Sequence, residues 1–314
     1  MTDYILFIHG VNTREVREQP TYADALFTKL QADVPTNYQL KSVPLYWGDI
    51  NIKAESRLIQ TLEKSPLWTK MWFRDFRSKQ ILQFAGDAAL YISRYIGSKV
   101  VARLKEQAII MLQNLQPEDQ LHIVAHSWGT VILFDILFAK RWDNPVVSGH
   151  QDVMAIRNAI FGIEGEPGTD HQGIKLGSIN TMGSPIGIFS LTAVSQYDET
   201  NPAAMSTHDI TPKLQDLLRS LGQERQGKRL PWRNFMHPGD PVASPLKELL
   251  IDLVDEQQKY LELQDILIRP SGLLNLLISP LQQNVSALLQ GGDAHGSYWS
   301  NDQVSAEISK AIGQ

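Results

Sequence analysis

Ser127 is the residue of this chain whose surroundings best fit covalent chemistry. It follows the apolar run 121–125, which is typical of a buried parallel strand, and precedes the apolar run 130–139, which is compatible with a buried helix. A strand that turns into a helix through small-x-Ser-x-small is a nucleophile elbow, whose tight turn lifts the serine off the sheet edge and exposes its Oγ. The turn requires small residues two positions before and after the serine, and Ala125 and Gly129 meet that requirement.

The helix expected after Ser127 would stabilise negative charge that forms beside this residue. Its N-terminus presents backbone N–H groups without an intrahelical partner and the positive end of the helix dipole. The same pattern also fits a buried strand–helix junction that carries an incidental serine. Serine is a weak nucleophile at neutral pH, and it needs a base to accept its proton and a third group to orient that base. The interpretation therefore depends on what the rest of the chain supplies.

Four short motifs together resemble those of the α/β-hydrolase superfamily, in particular its lipase- and esterase-like members. The first predicted strand ends in His-Gly, as a strand of the superfamily does, and the nucleophile elbow lies in the middle of the chain. The four motifs are His9-Gly10, the segment 125–129, Asp240 in Asp-Pro-Val-Ala, and His295 followed by Tyr298-Trp299.

This resemblance implies a fold that the alternation of strands and helices also indicates, which is a mainly parallel sheet with helices on both faces. The two leading strands of the full α/β-hydrolase fold are expected to be absent, because the first predicted strand begins at residue 4. A single α/β-hydrolase domain is expected over residues 1–314, with helical cap insertions at 49–80 and 186–230. The expected strands are 4–8, 38–47, 121–125, 177–185, 231–237 and a weak one within 284–289, whereas 247–267 is expected to be one helix and 142–173 an irregular surface segment.

The resemblance also implies which residues form the site. In this superfamily the nucleophile comes first in the chain, the acid second and the histidine last, which implies Ser127, Asp240 and His295. Asp240 follows the strand predicted at 231–237, and His295 follows the weak strand. Both are therefore expected at the carboxyl edge of the sheet, where ligands bind in open α/β sheets.

Other residues compete for the roles of acid and base. Asp209 and Asp293 are alternative acids, although Asp293 lies only two positions before His295, which is too close for the usual geometry. His126 is next to the nucleophile and cannot easily turn back to reach its Oγ, so a packing role is expected for it. His237 as the base would break the chain order of the superfamily.

Two backbone N–H groups are implied by the resemblance as an oxyanion hole. They belong to Val11, just after His9-Gly10, and to Trp128, which follows the nucleophile. His9 itself is expected to brace this loop through hydrogen bonds. The implied chemistry is acyl transfer in two steps through an acyl-serine, which needs neither a metal ion nor an organic cofactor.

These motifs identify a class of reaction rather than a substrate. The resemblance implies hydrolysis of a carboxylic ester, with a small-molecule acyl ester or a lipid-like molecule as the substrate. Thioester and amide hydrolysis use the same residues and stay open. A non-catalytic binding protein of the same fold is the alternative from another class, and the complete set of three residues argues against it. A dinucleotide-binding protein is disfavoured, because no Gly-x-Gly-x-x-Gly follows a predicted strand.

Composition excludes several further classes of protein. The 314 residues are 43% hydrophobic and carry a formal net charge of −5, with no block of lysine and arginine that would indicate nucleic-acid binding. The absence of cysteine excludes disulfides, cysteine-ligated zinc and a cysteine nucleophile. The start has no signal-peptide pattern, and no apolar stretch approaches the ~20 residues of a membrane span. A soluble, cytoplasmic protein is expected, and its oligomeric state stays open.

Residues 66–77 combine aromatic and basic side chains and are expected to form an amphipathic helix. Three placements are open for it, namely the domain's own core, a cap over the active site, and a membrane surface, which is the least favoured in an acidic protein. In the cap placement, Trp68 and Trp72 contact the acyl group of the substrate. The apolar half of the helical wheel holds Leu67, Trp68, Met71, Trp72 and Phe76, opposite Lys70, Arg74 and Arg77.

Overall fold

The computed structural model describes residues 1–11, 13, 15, 18–36, 38–50, 52–71, 91, 94–187, 209–269 and 294–313. Strands and helices alternate along most of these ranges. The strands are β1 (Thr2–Ile8), β2 (Gln39–Leu45), β3 (Gln120–His126), β4 (Lys175–Met182), β5 (Leu230–Met236) and β6 (Leu261–Leu267). The α-helices are α1 (Asp24–Asp33), α2 (Ile52–Glu63), α3 (Arg94–Met111), α4 (Trp128–Phe138), α5 (His150–Asn158), α6 (Thr211–Glu224), α7 (Lys247–Val254) and α8 (Asp302–Ile312).

All six of these strands form one sheet in the order β2-β1-β3-β4-β5-β6, and every neighbouring pair is parallel. The inner strands are buried almost without interruption, which explains the apolar runs of β1 and β3 in the sequence. The strands β4 and β5 bury polar side chains as well, among them Asn180 and Asn234. Pro44, which lacks a donor for the ladder, lies in β2, at the edge of the sheet, where none of the described strands pairs with one side. The expectation of an α/β fold with a parallel sheet is confirmed.

Helices cover both faces of the sheet and divide the core into two apolar clusters. The helices α1 and α8 pack on one face around Phe7, Val124 and Phe235. The helices α3 to α7 pack on the other face around Leu6, Ile123 and other strand residues. The helix α4 is buried along its whole length and carries apolar residues on nearly all of its sides, with Asp135 as the charged exception.

The register of the strands brings three loops together at one edge of the sheet. Ala125 of β3 lies beside Ile8 of β1 and beside Thr181 of β4. Thr181 in turn lies beside Asn234 of β5. The segments that leave β1, β3 and β5 therefore emerge side by side, and they carry the residues selected from the sequence.

Two expectations about the elements are wrong. The helix expected over 247–267 ends at Val254, and β6 occupies Leu261–Leu267. Asp255 stabilises the turn between α7 and β6, because its carboxylate accepts the backbone N–H groups of Lys259, Tyr260 and Leu261. The segment 142–173 is not wholly irregular, since it contains α5. The weak strand expected within 284–289 lies outside the described residues.

The second expected cap insertion, 186–230, is wrong for its helical part. The leucines of α6 are fully buried in the larger core cluster, so this helix belongs to the layer that covers the sheet. Residues 188–208 of that insertion lie outside the part of the chain that the structure describes. The buried leucines are Leu214, Leu217, Leu218 and Leu221.

The first expected insertion, 49–80, contains α2, whose Ile52 and Leu58 are exposed. The helix expected over 66–77 is wrong at its start, where a single 3₁₀ turn, Trp68–Lys70, ends at an extended Met71. Trp72 and the rest of that segment lie outside the described residues. Among the helices that the structure describes, none is long and apolar enough to cross a membrane.

Candidate active site

Ser127 lies at a tight turn between the end of β3 and the start of α4. Its backbone has φ 54° and ψ −131°, a conformation that residues other than glycine rarely adopt. Its N–H donates to the Met182 carbonyl at 2.9 Å, which ties the turn to the end of β4. Gly129 is small for a definite reason, because a Cβ there would lie 2.4 Å from the His9 carbonyl oxygen. This geometry is that of the nucleophile elbow expected from the sequence.

Ser127 differs from expectation in its exposure to solvent. The sequence predicts an exposed Oγ, but the residue has 0% of its surface exposed. The backbone of Gly10 packs against Ser127 on one side, and the His295 ring lies within hydrogen-bonding distance on another. The expectation of an exposed Oγ is therefore wrong in this structure, since the neighbours of the turn cover it.

Ser127, His295 and Asp240 form one hydrogen-bonded chain. The Ser127 Oγ lies 2.7 Å from the His295 Nε2, and the His295 Nδ1 lies 2.9 Å from the Asp240 Oδ2. A carboxylate can only accept, so Nδ1 carries the proton of the neutral ring and Nε2 accepts from the serine hydroxyl. His295 has 17% of its side chain exposed, whereas the Asp240 side chain has none. The structure thus brings together all three residues selected from the sequence.

Asp240 is buried and is held as a carboxylate. Burial acts to raise its pKa, but the hydrogen bonds from His295 and Tyr298 and the charge of His295 outweigh burial, and the pKa lies below its ordinary value. The Tyr298 hydroxyl donates to the same Oδ2 at 2.7 Å, and the Val242 N–H donates to Oδ1 at 3.0 Å. The carboxylate therefore stays charged and fixed where it meets His295.

The side chain of His126 holds the main chain of His295 through a hydrogen bond. The His126 Nε2 donates to the His295 carbonyl oxygen at 2.6 Å, and the two ring centroids are 4.7 Å apart. Burial, followed by the charge of His295, lowers the pKa of His126 to about 3, so the ring is neutral. The packing role expected for His126 thus includes a hydrogen bond that sequence reasoning did not find.

The loop after β1 is fixed by His9. The His9 Nδ1 donates to the Gly10 carbonyl at 2.6 Å, and its Nε2 accepts the Trp47 backbone N–H at 3.2 Å. Because a trans peptide is planar, holding the Gly10 carbonyl also fixes the direction of the Val11 N–H. Trp128 is the first residue of α4. The roles of Val11 and Trp128 as oxyanion donors stay predictions.

The rival residues have other partners or lie elsewhere. The Asp209 Oδ1 accepts the N–H of Thr211, the first residue of α6, at 2.9 Å. The His237 Nδ1 accepts the Gly239 N–H at 3.0 Å within the turn that leads to Asp240. Asp293 lies outside the described residues. Trp68 is half-buried in the 3₁₀ turn after α2, and Trp72 is not described.

Tyr298 is the site residue whose contact the sequence did not reveal. In the sequence Tyr298 is only one residue of the motif that follows His295. In the structure its buried hydroxyl donates a hydrogen bond to the Asp240 carboxylate. The signal available in the sequence was its position, three residues after His295. Within the described ranges, no group of three or more acidic or histidine side chains could hold a metal ion.

Comparison with known proteins adds little to this geometry. No protein-family model matches the chain, and no curated protein does. Two solved structures are similar over most of their length. The crystal structure of ClbQ from the colibactin NRPS/PKS pathway is 11% identical, with 100% of this chain and 98% of that chain covered, at a TM-score of 0.37. The RedJ thioesterase from the prodiginine biosynthetic pathway of Streptomyces coelicolor is 12% identical, with 93% and 90% covered, at a TM-score of 0.25. Such weak likeness carries no argument about function, which depends on the site itself.

Proposed function

We propose that this protein is a serine hydrolase that cleaves an acyl substrate by a two-step acyl transfer. The observation that carries the proposal is the hydrogen-bonded chain from the Ser127 Oγ through His295 to Asp240, at 2.7 and 2.9 Å. A nucleophile bonded to a base, and that base bonded to an orienting acid, is the arrangement that activates serine. The strained turn at Ser127 adds support, because such strain is common at functional sites.

In the first step the His295 Nε2 accepts the hydroxyl proton of Ser127 while Oγ attacks the substrate carbonyl carbon. Asp240 accepts from Nδ1 throughout and stabilises the imidazolium. The negative charge that develops on the carbonyl oxygen is bound by the N–H groups of Val11 and Trp128. His295 then gives its proton to the leaving group, and Ser127 is left as an ester of the acyl group.

In the second step a water molecule attacks this ester. His295 accepts the proton of the water, and the tetrahedral intermediate forms in the same oxyanion hole. When it collapses, His295 returns the proton to the Ser127 Oγ, and the carboxylic acid leaves. Each oxyanion donor is expected to contribute on the order of 10²–10³ in rate. None of these steps requires a metal ion or an organic cofactor.

A carboxylic ester is the substrate class that we propose first. Trp68, in the half-buried turn after α2, and Trp72 are proposed to contact the acyl group. Leu67 and Met71 flank Trp68 and are exposed, which leaves an apolar surface on this turn for a substrate to cover. A thioester or an amide would react through the same three residues, so the leaving group has to be determined by experiment.

The experiment that tests the proposal is labelling with a fluorophosphonate, which phosphonylates an activated serine. We expect native protein to be modified at Ser127 and the Ser127→Ala variant, folded to the same extent by circular dichroism, to stay unmodified. Oxygen esters and thioesters of increasing acyl length should then be compared as substrates. Well-folded native protein that is never modified would overturn the proposal and favour a non-catalytic binding protein of this fold.

A further inference from the structure

The Asp240 Oδ2 accepts two hydrogen bonds, one from the His295 Nδ1 and one from the Tyr298 hydroxyl. The same hydroxyl accepts the backbone N–H of His237 at 2.9 Å. Tyr298 therefore joins the loop after β5, which carries Asp240, to the 3₁₀ turn Ser297–Ser300, which follows His295. Two loops that are far apart in the chain meet at one phenolic oxygen.

We propose that Tyr298 is a positioning residue of the site, which holds the Asp240 carboxylate in place for His295 and withdraws part of its negative charge. This inference rests on the proposed function. The hydroxyl is suited to the role because it can donate one hydrogen bond while it accepts another. It is fully buried, so water does not replace it. Burial, followed by the charge of Asp240, raises the pKa of Tyr298, and the phenol stays a donor.

The sharing of Oδ2 has a consequence for the strength of the base. A hydrogen bond to a carboxylate stabilises its charge and weakens its pull on any other donor. Without the Tyr298 hydroxyl, Asp240 would stabilise the imidazolium of His295 more strongly. The pKa of His295 would then rise, and the acid limb of the rate profile would move to higher pH. A residue that only packs against its neighbours would not move that limb.

The other titratable groups near His295 do not produce this limb. The His126 ring is 4.7 Å from the His295 ring, and burial, followed by the charge of His295, lowers its pKa to about 3. His237 lies in the turn before Asp240, and burial lowers its pKa below the ordinary value. Asp240 has a lowered pKa and stays charged in this range. Among these groups, His295 is the base that must be unprotonated for Ser127 to react, so the acid limb is assigned to it.

The test is the Tyr298→Phe variant, which keeps the ring and removes only the hydroxyl. The matched control is Tyr91→Phe, because the Tyr91 hydroxyl also donates to a buried carboxylate, that of Asp135 at 2.6 Å, at the far end of α4. Both kcat/KM for a 4-nitrophenyl ester and the rate of fluorophosphonate labelling should be measured as a function of pH. For Tyr298→Phe we expect the acid limb to move up by about one pH unit and kcat to fall roughly tenfold to a hundredfold.

A second readout separates this inference from the proposed function. The His295 ring can be titrated by NMR with imidazole-labelled protein, which requires no turnover, and its pKa should rise in Tyr298→Phe but not in Tyr91→Phe. If native protein is never labelled by the fluorophosphonate but the titration moves, only the proposed function fails. If native protein is active while the limb and the titration stay unmoved, or move equally in both variants, the role of Tyr298 is overturned.

A shape-preserving replacement covers the case in which Tyr298→Phe does not fold. A 3-fluorotyrosine at position 298 keeps the hydroxyl and makes it a stronger donor, since its phenol is more acidic. The stronger bond withdraws more charge from Asp240, so the acid limb should move to lower pH, opposite to the shift in Tyr298→Phe. An unmoved or raised limb with 3-fluorotyrosine contradicts the inference.

Discussion

Gly10 lies so close to Ser127 that no side chain fits between them. A Cβ at position 10 would be 2.5 Å from the Ser127 Cβ, 2.9 Å from its Oγ and 3.3 Å from the His126 carbonyl oxygen. Gly10 does not have a positive φ, so the requirement for glycine comes from the space and not from the backbone conformation. The loop after β1 can therefore pack against the nucleophile elbow only because residue 10 has no Cβ.

The Gly10→Ala substitution should therefore displace the Ser127 side chain. We expect kcat/KM to fall by at least about a hundredfold and the free energy of unfolding to fall by about 1–3 kcal/mol. In a Ser127→Gly background the atoms that meet the new Cβ are gone, and the stability cost of Gly10→Ala should largely disappear. A double-mutant cycle by urea denaturation measures this coupling. Equal costs in both backgrounds would show that Gly10 acts on another neighbour.

The backbone of Ser127 predicts a difference between two substitutions that both remove its hydroxyl. Ser127→Ala keeps the Cβ in a conformation that costs about 1–3 kcal/mol, whereas Ser127→Gly relieves this strain at an entropic cost of about 0.5–1 kcal/mol. Ser127→Gly should therefore be the more stable variant, by up to about 2.5 kcal/mol. Urea denaturation of the two proteins checks this, and an Ala variant as stable as the Gly variant would mean that the turn is not strained.

The acid role of Asp240 is tested with Asp209 as the control. Asp240→Asn keeps the shape of the side chain but favours the wrong tautomer of His295, and kcat should fall by about 10⁴, as in the reference serine protease. Asp209→Asn should leave kcat within roughly threefold, because the asparagine Oδ1 can accept the Thr211 N–H, which is the bond described for Asp209. Steady-state kinetics measures both losses of kcat, and thermal unfolding checks that both variants are folded. A larger loss of kcat in Asp209→Asn than in Asp240→Asn would assign the acid role to Asp209.

The proposed contact between Trp68 and the acyl group predicts an effect of chain length. Trp68→Ala should lower kcat/KM for a medium-chain ester roughly tenfold more than for an acetate ester, since only the longer acyl group reaches the ring. Lys70→Ala, which changes an exposed basic neighbour on the same turn, is the control. Equal losses of kcat/KM for the two esters would indicate that Trp68 packs against the protein instead.

The sequence predicted the residues of the hydrogen-bonded chain because their positions follow from local patterns. Apolar runs locate the ends of β3 and β5, and parallel strands end at a common edge, so Ser127 and Asp240 had to lie near each other. His295 was selected by its place in the order of the three residues. These inferences need only strand positions and chain order, which are the strongest signals in a sequence.

The features that the sequence did not reveal depend on tertiary contacts or on weak periodicity. The strand β6 reads Leu-Glu-Leu-Gln, an alternation that its burial follows, but the preceding helical pattern of α7 concealed it. The bond from Tyr298 to Asp240 joins residues 58 positions apart, and no local pattern records it. The burial of Ser127 likewise depends on Gly10, which lies in the loop after β1. Propensity and spacing cannot supply such contacts.

His126 makes the stability of the protein depend on pH in a defined direction. Burial lowers its pKa to about 3, whereas in the unfolded chain it is about 6.5. Between these two values the unfolded chain binds a proton that the folded protein does not, so this residue destabilises the fold as the pH falls below about 6.5. The slope for one such group is about 1.4 kcal/mol per pH unit.

The His126→Gln variant cannot be protonated but keeps an N–H donor for the His295 carbonyl. The difference in free energy of unfolding between the native protein and this variant should therefore shift against the native protein by about 1.4 kcal/mol for each unit between pH 6 and pH 4. The other titratable groups are common to the two proteins, so most of their contributions cancel in the difference. Urea denaturation at several pH values measures it. A difference that does not change with pH would mean that His126 accepts a proton in the folded protein as readily as in the unfolded chain, and that the His126 ring is not kept neutral beside His295.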